Sequence, residues 1–338
     1  MERVENKSAC KVWCSYCCDS HQSGTPEEVD CRWSLPESNT SRWKNSGDHW
    51  SQHWDWKGDR PRFGTKRFAT VCMCLTIGAR VVMACRDMRR GEKAASEVRR
   101  STGNGNVVVR QLDLSSLASV REFASKLSAT EDRLDILINN AGVMMCPRSL
   151  TEDGFETQLG VNHLAHFLLT MLLLDMLKSS APSRVVNVSS IAHVGGKINF
   201  EDLFYNKTPY DSLVSYRQSK LANLLFSREL ARRTRAYGVS AFALHPGVIR
   251  TELGRYVETR YPLLSALLRA PALLLMKTPK QGAQTTIYCA VTEGLEMHTG
   301  CYFSDCKLKE PAPEGKDDLA AMRLWDFSAK LVGYNEED

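Results

Sequence analysis

The stretch Arg67–Asp87 reads RFATVCMCLTIGARVVMACRD, and its two halves ask for different structures. The second half, ARVVMACR (Ala79–Arg86), is a short apolar run rich in β-branched residues, the pattern of a strand buried on both faces. The first half is β-branched too, but only Gly78 and Ala79 stand between the two. A parallel neighbour needs a crossover of about a dozen residues or more. Phe68–Ile77 therefore reads as the tail of a helix, with Gly78 at its end.

Downstream the pattern is regular. GEKAASEVRRS reads as a helix, NVVVRQLDL (Asn106–Leu114) as a strand, and SSLASVREFASKL as a helix with a serine start. LDILINNAG (Leu134–Gly142), SRVVNVSS (Ser183–Ser190) and VSAFALHPG (Val239–Gly247) are further strands, and GCYFSD a last one. Between them lie a long buried helix, GFETQLGVNHLAHFLLTMLLLDMLKSS, and the helix SYRQSKLANLLFSRELARRT; DLAAMRLWDFSAKLVG closes the chain as a helix. Strands alternating with helices imply βαβ units and a doubly wound, Rossmann-like α/β parallel sheet. Ligands bind such sheets past the carboxyl ends of the strands, where Asp113, Asn140, Ser190 and Pro246 fall.

The chain has 338 residues, 25% of them charged and 43% hydrophobic, ordinary for a globular protein. A net charge of +5 is too mild to argue for nucleic acid. No apolar run is long enough to suggest a transmembrane helix. The nearest approach is YPLLSALLRAPALLLMKTP (Tyr261–Pro279), broken by Arg269 and Pro271; it reads first as a pair of short helices over a substrate cleft, and residues 261–276 are also a candidate membrane-surface patch. Residues 1–65 differ from the rest. They hold six of the seven tryptophans but one leucine and no isoleucine, too few aliphatics for a core. They are expected to be disordered, with the folded domain over residues 66–334. Five of the 12 cysteines lie in the first 31 residues. The gap from Cys14-x2-Cys17 to His49-x3-His53 is far longer than zinc-finger spacing, and no metal is expected.

YRQSK places Tyr216 and Lys220 four residues apart, on one face of a helix. An ammonium beside a phenol favours the phenolate, so Lys220 is expected to lower the pKa of Tyr216 and fit it for proton transfer. Ser190 ends a strand where its hydroxyl could hold a substrate oxygen, and the NNAG turn lets a flat ligand approach the backbone. Asn162, inside an apolar helix, needs a partner for its amide.

LDILINNAGVM, GVNHLAHFLLT, RVVNVSSIAH, YRQSKLAN and LHPGVIRTEL together resemble the short-chain dehydrogenase/reductases, in that family's order and spacing, from Gly78 to about Gly333. VVMACRDMRRGEKAASEVR, NNAGVMMCP, TEDGFETQLGVNHL and GCYFSDCK resemble its retinol dehydrogenases of the 11 to 14 type. The resemblance implies a membrane-associated enzyme, of the endoplasmic reticulum or mitochondrion, that interconverts retinal and retinol or related lipid aldehydes and alcohols by hydride transfer. It makes Tyr216 the general acid/base, gives Lys220 the nicotinamide ribose, Ser190 the carbonyl, and Asn162 a proton-relay water. It sets Asn140, Ala141 and Gly142 along the cofactor and Asp113 and Leu114 at the adenine. It sets Pro246, Gly247, Val248 and Thr251 around the carboxamide and diphosphate. Arg86 stands first after its strand, where NAD enzymes carry an acid; an arginine suits a 2′-phosphate, hence NADP(H).

One part of the family pattern is missing. Counted back from Gly78, the glycines of Thr-Gly-x-x-x-Gly-x-Gly fall on Pro61, Thr65 and Arg67, and no apolar strand precedes them. Those glycines let the backbone reach the diphosphate. A sheet without its first strand, and impaired cofactor binding, are therefore expected. Alternatives are a catalytically inactive relative serving as a lipid- or protein-binding module, and a carbonyl reductase with a steroid or xenobiotic substrate.

Overall fold

The computed structural model describes residues 11–16, 79–249, 256 and 276–335. Among these, eight strands form one sheet: β1 (Lys11–Tyr16), β2 (Arg80–Cys85), β3 (Val107–Gln111), β4 (Ile136–Asn139), β5 (Ser183–Val188), β6 (Val239–His245), β7 (Tyr302–Ser304) and β8 (Lys307–Leu308). Their order is β3-β2-β1-β4-β5-β6-β7-β8, and every pair is parallel except the last. The expected doubly wound α/β sheet is present.

The expected gap at the first strand is not. Lys11–Tyr16, KVWCSY, lies between β2 and β4. It pairs Lys11↔Arg80 through Tyr16↔Cys85 on one side and Val12↔Ile136 through Cys14↔Ile138 on the other. A gap there would leave two rows of backbone N–H and C=O groups unpaired in the middle of the sheet. A short segment with Val, Trp and Tyr satisfies both rows, and that tertiary demand overrides the poor local composition. Part of the segment expected to be disordered is thus a central strand. The rest of residues 1–65, the Phe68–Ile77 stretch and the Cys17, His49 and His53 positions lie outside the described residues.

Alternation along the strands sorts the core into two layers. Val82, Ala84, Leu137, Val185 and Ala241 face one side, where they meet α2 (Leu117–Thr130), α4 (Ala165–Leu172), α6 (Ser212–Thr234) and α8 (Asp318–Val332). Val81, Met83, Ile136, Ile138, Val186, Phe242 and Leu244 face the other, against α1 (Met88–Thr102) and α7 (Pro279–Val291). Burial on both faces is why these strands read as unbroken apolar runs. Helix ends follow local chemistry. Asp87 caps α1 and Asp211 caps α6, while Thr278 and Gln281 form a capping box around Pro279 at the start of α7. That last helix is not among the expected elements, although TPKQ carries its signal.

The long helix expected over residues 154–180 is built in pieces. Thr157–Leu159 (α3) runs into a π-helical turn, Gly160–Leu164, and then into α4. Leu173, at φ −103° and ψ 4°, breaks α4 from α5 (Leu174–Ser179). A Cβ on Gly160 would come within 2.6 Å of Thr151 Cγ2, so the missing side chain permits this close packing.

His163 lies in the π turn and His166 just after it, both buried. Burial lowers His163 to about 3 and His166 to about 4. As pH falls from neutrality, the unfolded chain takes up these protons and the native chain does not. Stability is therefore expected to drop by several kcal/mol as pH falls from about 6.5 to 4. Melting temperatures across that range check this, with His163→Asn flattening the slope. A flat wild-type profile would contradict it.

Candidate active site

The C-terminal ends of the parallel strands present a row of polar groups. Arg86, exposed, directly follows β2, and Asp113 lies two residues past β3. Asn140 directly follows β4, Ser190 lies two residues past β5, and Pro246 directly follows β6. Asp113 Oδ1 accepts from the Ser115 N–H at 2.8 Å and the Ser115 hydroxyl at 2.7 Å, which orients the carboxylate. Leu114, beside it in sequence, is buried.

Tyr216 and Lys220 lie one turn apart near the start of α6, both buried. Lys220 Nζ donates to the Val188 carbonyl at the end of β5, 3.1 Å away, and sits 5.7 Å from the centre of the Tyr216 ring. Two further residues bind this part of α6 to β5. The Ser189 hydroxyl donates to the Lys220 carbonyl at 2.6 Å, and Asn223 Nδ2 donates to the Val188 carbonyl at 3.2 Å. Ser190 Oγ accepts from the Ala192 N–H at 3.1 Å.

The electrostatics differ from the expectation. Burial pushes the Tyr216 phenol up to about 12, opposed by the Ser190 hydroxyl beside it. Burial also lowers Lys220 to about 8. The lysine does not depress the phenol here, because each group has lost water and is driven towards its neutral form. Tyr216 therefore holds its proton at neutral pH.

Asn162 occupies the π turn. Its Oδ1 accepts from the Val143 N–H at 2.8 Å, and its Nδ2 donates to the Val143 carbonyl and the Ser219 hydroxyl, each at 2.9 Å. The side chain thus ties the segment after β4 to α6. Its main-chain carbonyl lies 3.1 Å from His166 Nδ1, and since a carbonyl only accepts, that nitrogen carries the proton. Single π turns recur at functional sites. Asn162 and Lys220 both approach Gly142: a Cβ there would lie 2.9 Å from Asn162 Oδ1 and 3.5 Å from Lys220 Nζ. Ala141 is buried and Asn140 half-exposed.

Past β6, Gly247 has φ +96°, a region that favours glycine. The Lys277 side chain crosses it on the way to an ion pair with Asp305, and a Cβ on Gly247 would come within 2.6 Å of Lys277 Cδ. The Val248 carbonyl accepts from the Lys277 N–H at 2.8 Å. Thr251 and residues 257–275, most of the candidate membrane-surface patch, lie outside the described residues. Among those described, no helix is long and apolar enough to cross a membrane.

Behind the row runs a buried amide ladder that the sequence motifs do not single out. Asn139 Nδ2 donates to Asn187 Oδ1 at 2.8 Å and to the Thr170 hydroxyl at 3.0 Å, and Asn187 Nδ2 donates to the Ser227 hydroxyl at 2.9 Å. It joins β4, β5, α4 and α6. Its signal is an asparagine inside each of two apolar strands, ILIN and SRVVNV.

Known proteins are similar to this chain in sequence and in fold. Human retinol dehydrogenase 13 is 53% identical over 257 residues, covering 76% of this chain and 78% of that protein. Human retinol dehydrogenase 12 is 54% identical over 260 residues, 77% of this chain and 80% of that one. Among solved structures, the RhlG/NADP active-site complex of Pseudomonas aeruginosa is 26% identical with a TM-score of 0.55, over 70% of this chain and 88% of that one. Residues 68–262 match the short chain dehydrogenase family. The chain belongs to that family of oxidoreductases, and the cofactor of its fold is a nicotinamide dinucleotide.

Proposed function

We propose that the chain is an NADP(H)-dependent reductase of retinal and related apolar aldehydes, working also in reverse on the alcohols. The observation that carries this reading is the meeting of Tyr216, Lys220 and Ser190 where β5 and α6 adjoin, in line with Arg86 past β2. The residues fit the nicotinamide end of the cofactor: Gly142 leaves open a position that a Cβ would crowd against Asn162 and Lys220. Lys220 and Asn140 would hold the ribose, with Ala141, Gly142, Pro246, Gly247, Val248 and Thr251 around the ring and diphosphate. Asp113 and Leu114 would meet the adenine, and Arg86 the 2′-phosphate. When bound, the nicotinamide supplies hydride transfer to and from a carbonyl carbon. Ser190 would hold the carbonyl oxygen by its hydroxyl. Tyr216, protonated at neutral pH, would give that oxygen its proton.

An apolar substrate suits the surroundings. Ile191 and Val194 beyond Ser190, Leu213 and Val214 just ahead of Tyr216, and Val248 beyond Gly247 are all exposed large hydrophobic residues. Their position in the chain, beside the reacting groups, supports a retinoid or lipid aldehyde over a polar carbonyl. By the same resemblance we infer association with a membrane surface.

A second reading, an inactive relative that binds lipid or protein, draws on one observation. The nine residues after β1, CCDSHQSGT (Cys17–Thr25), contain a single glycine where the family pattern has three. Thermal shift with NADPH and then NADH separates the two readings. A ligand at a hundred times its dissociation constant adds about 2.7 kcal/mol to the native state. The reductase reading expects a clear upward shift with NADPH, a smaller one with NADH, and loss of that preference in Arg86→Ala. A melt blind to both cofactors would sink it.

A further inference from the structure

We propose that His193 is a positioning residue that couples Ser190 to the C-terminal segment around Ala312, a role that rests on the reductase reading for its catalytic consequence. His193 is 1% exposed and ends the short 3-10 turn Ile191–His193 that follows Ser190. Its Nδ1 lies 2.6 Å from the Ser190 carbonyl oxygen and its Nε2 lies 3.1 Å from the Ala312 backbone nitrogen. A carbonyl can only accept and an amide N–H can only donate. The proton therefore sits on Nδ1, which donates to Ser190, and Nε2 is the acceptor for Ala312. The imidazole is neutral and both nitrogens are committed.

The turn has little freedom of its own. The Ser190 carbonyl also accepts from the His193 backbone N–H at 3.2 Å, and the His193 carbonyl accepts from the Gly196 N–H at 2.9 Å. A Cβ on Gly196 would come within 2.9 Å of the Arg217 carbonyl, so the turn lies hard against α6 beside Tyr216. On the far side the His193 ring meets Tyr302 edge to face, with centroids 4.8 Å apart.

The partner segment is equally constrained. Ala312 stands between Pro311 and Pro313, which have no N–H, so its amide is the only backbone donor of those three residues. The 3-10 turn Pro313–Lys316 follows, and a Cβ on its Gly315 would come within 2.9 Å of Leu224 Cδ2 on α6. One imidazole thus joins the carbonyl of the proposed carbonyl-holding serine to a stiff segment leading into α8. Losing the Nδ1 bond frees the Ser190 backbone and with it the direction of the hydroxyl. Losing the Nε2 bond frees Ala312 and leaves the ring, and through it Ser190, less firmly held.

Two substitutions take the bonds apart. His193→Asn keeps a donor near Nδ1 and has no acceptor at Nε2; His193→Gln reaches the Nε2 position and leaves the Ser190 carbonyl without its side-chain donor. Each is compared with the full-length wild type by melting temperature, residue-resolved hydrogen exchange, and kcat and KM with NADPH on all-trans-retinal and nonanal. One hydrogen bond corresponds to about tenfold in an equilibrium or a rate. His193→Gln is expected to lose about tenfold in kcat with KM little changed and Ala312 protection kept. His193→Asn, which keeps the Ser190 bond and loses the Ala312 anchor, is expected to lose about two- to threefold in kcat while the Ala312 amide exchanges about tenfold faster. Equal loss of kcat in both variants, unchanged kcat in either, or unchanged Ala312 exchange in His193→Asn overturns the proposal. So does a His193→Asn chain that no longer melts cooperatively. A folded wild type that reduces neither aldehyde refutes the reductase reading instead, and the Ala312 exchange then decides whether the coupling exists.

Discussion

Tyr216→Phe is expected to lower kcat for aldehyde reduction by about a hundredfold or more, while the melting temperature stays close to that of the wild type. The magnitude follows from proton transfer by a positioned side chain, which contributes about 10²–10⁴ in rate, or roughly 3–5 kcal/mol of barrier. The stability claim follows from burial. The phenol is 5% exposed, and its ring packs the same way without the hydroxyl. What is lost is the hydroxyl's contact with Ser190, an interaction of about 1 kcal/mol. The pH dependence has a direction. Tyr216 is held up to about 12, so the proton needed for reduction is present throughout the neutral range. Alcohol oxidation needs the phenolate, so its rate is expected to rise with pH where reduction does not. Lys220, lowered to about 8, loses its charge over the same alkaline range, which should weaken cofactor retention there. Steady-state kinetics in both directions, with a parallel thermal shift for cofactor binding, check all three statements. A Tyr216→Phe enzyme with wild-type kcat would remove Tyr216 from the chemistry.

Much of this arrangement is legible in the chain, for physical reasons that differ from residue to residue. Strands such as RVVMAC and VSAFALH announce themselves because both faces are buried and nearly every position must be apolar. Asn162 is readable because an amide inside an apolar helix must find partners, and it finds Val143 and Ser219. The π turn that contains it is not readable, since one extra residue in a turn leaves the apolar pattern intact across GVNHLAHF. Nor is the Tyr216 pKa. Spacing on a helix predicts that a lysine is near, but the loss of water that raises the phenol depends on burial in the folded chain, which that spacing does not carry. His193 reads as one more residue of SSIAH, because its second partner, Ala312, lies 119 residues away.

β1 is the hardest element to read. KVWCSY is six residues in a stretch almost without aliphatics, and composition speaks against a strand there. The sheet requires one, because β2 and β4 each present it with an otherwise unpaired edge. Trp13→Pro is therefore expected to abolish the cooperative melt. Trp13 is aligned with Val82 on one side and Leu137 on the other, so a proline there falls between two ladders at once. Proline removes the N–H, and its ring does not fit the ladder of a central strand. Each buried backbone group left unpaired costs about 1–3 kcal/mol, against a native stability of roughly 5–15 kcal/mol. Trp13→Tyr, which keeps the N–H and a strand-favouring side chain, is the control and should still melt cooperatively. Circular dichroism melts of the three chains decide it. Should Trp13→Pro melt like the wild type, some other segment must complete the sheet beside β2. If it unfolds while Trp13→Tyr does not, the unusual amino-terminal stretch supplies the strand on which the cofactor edge of the sheet is built.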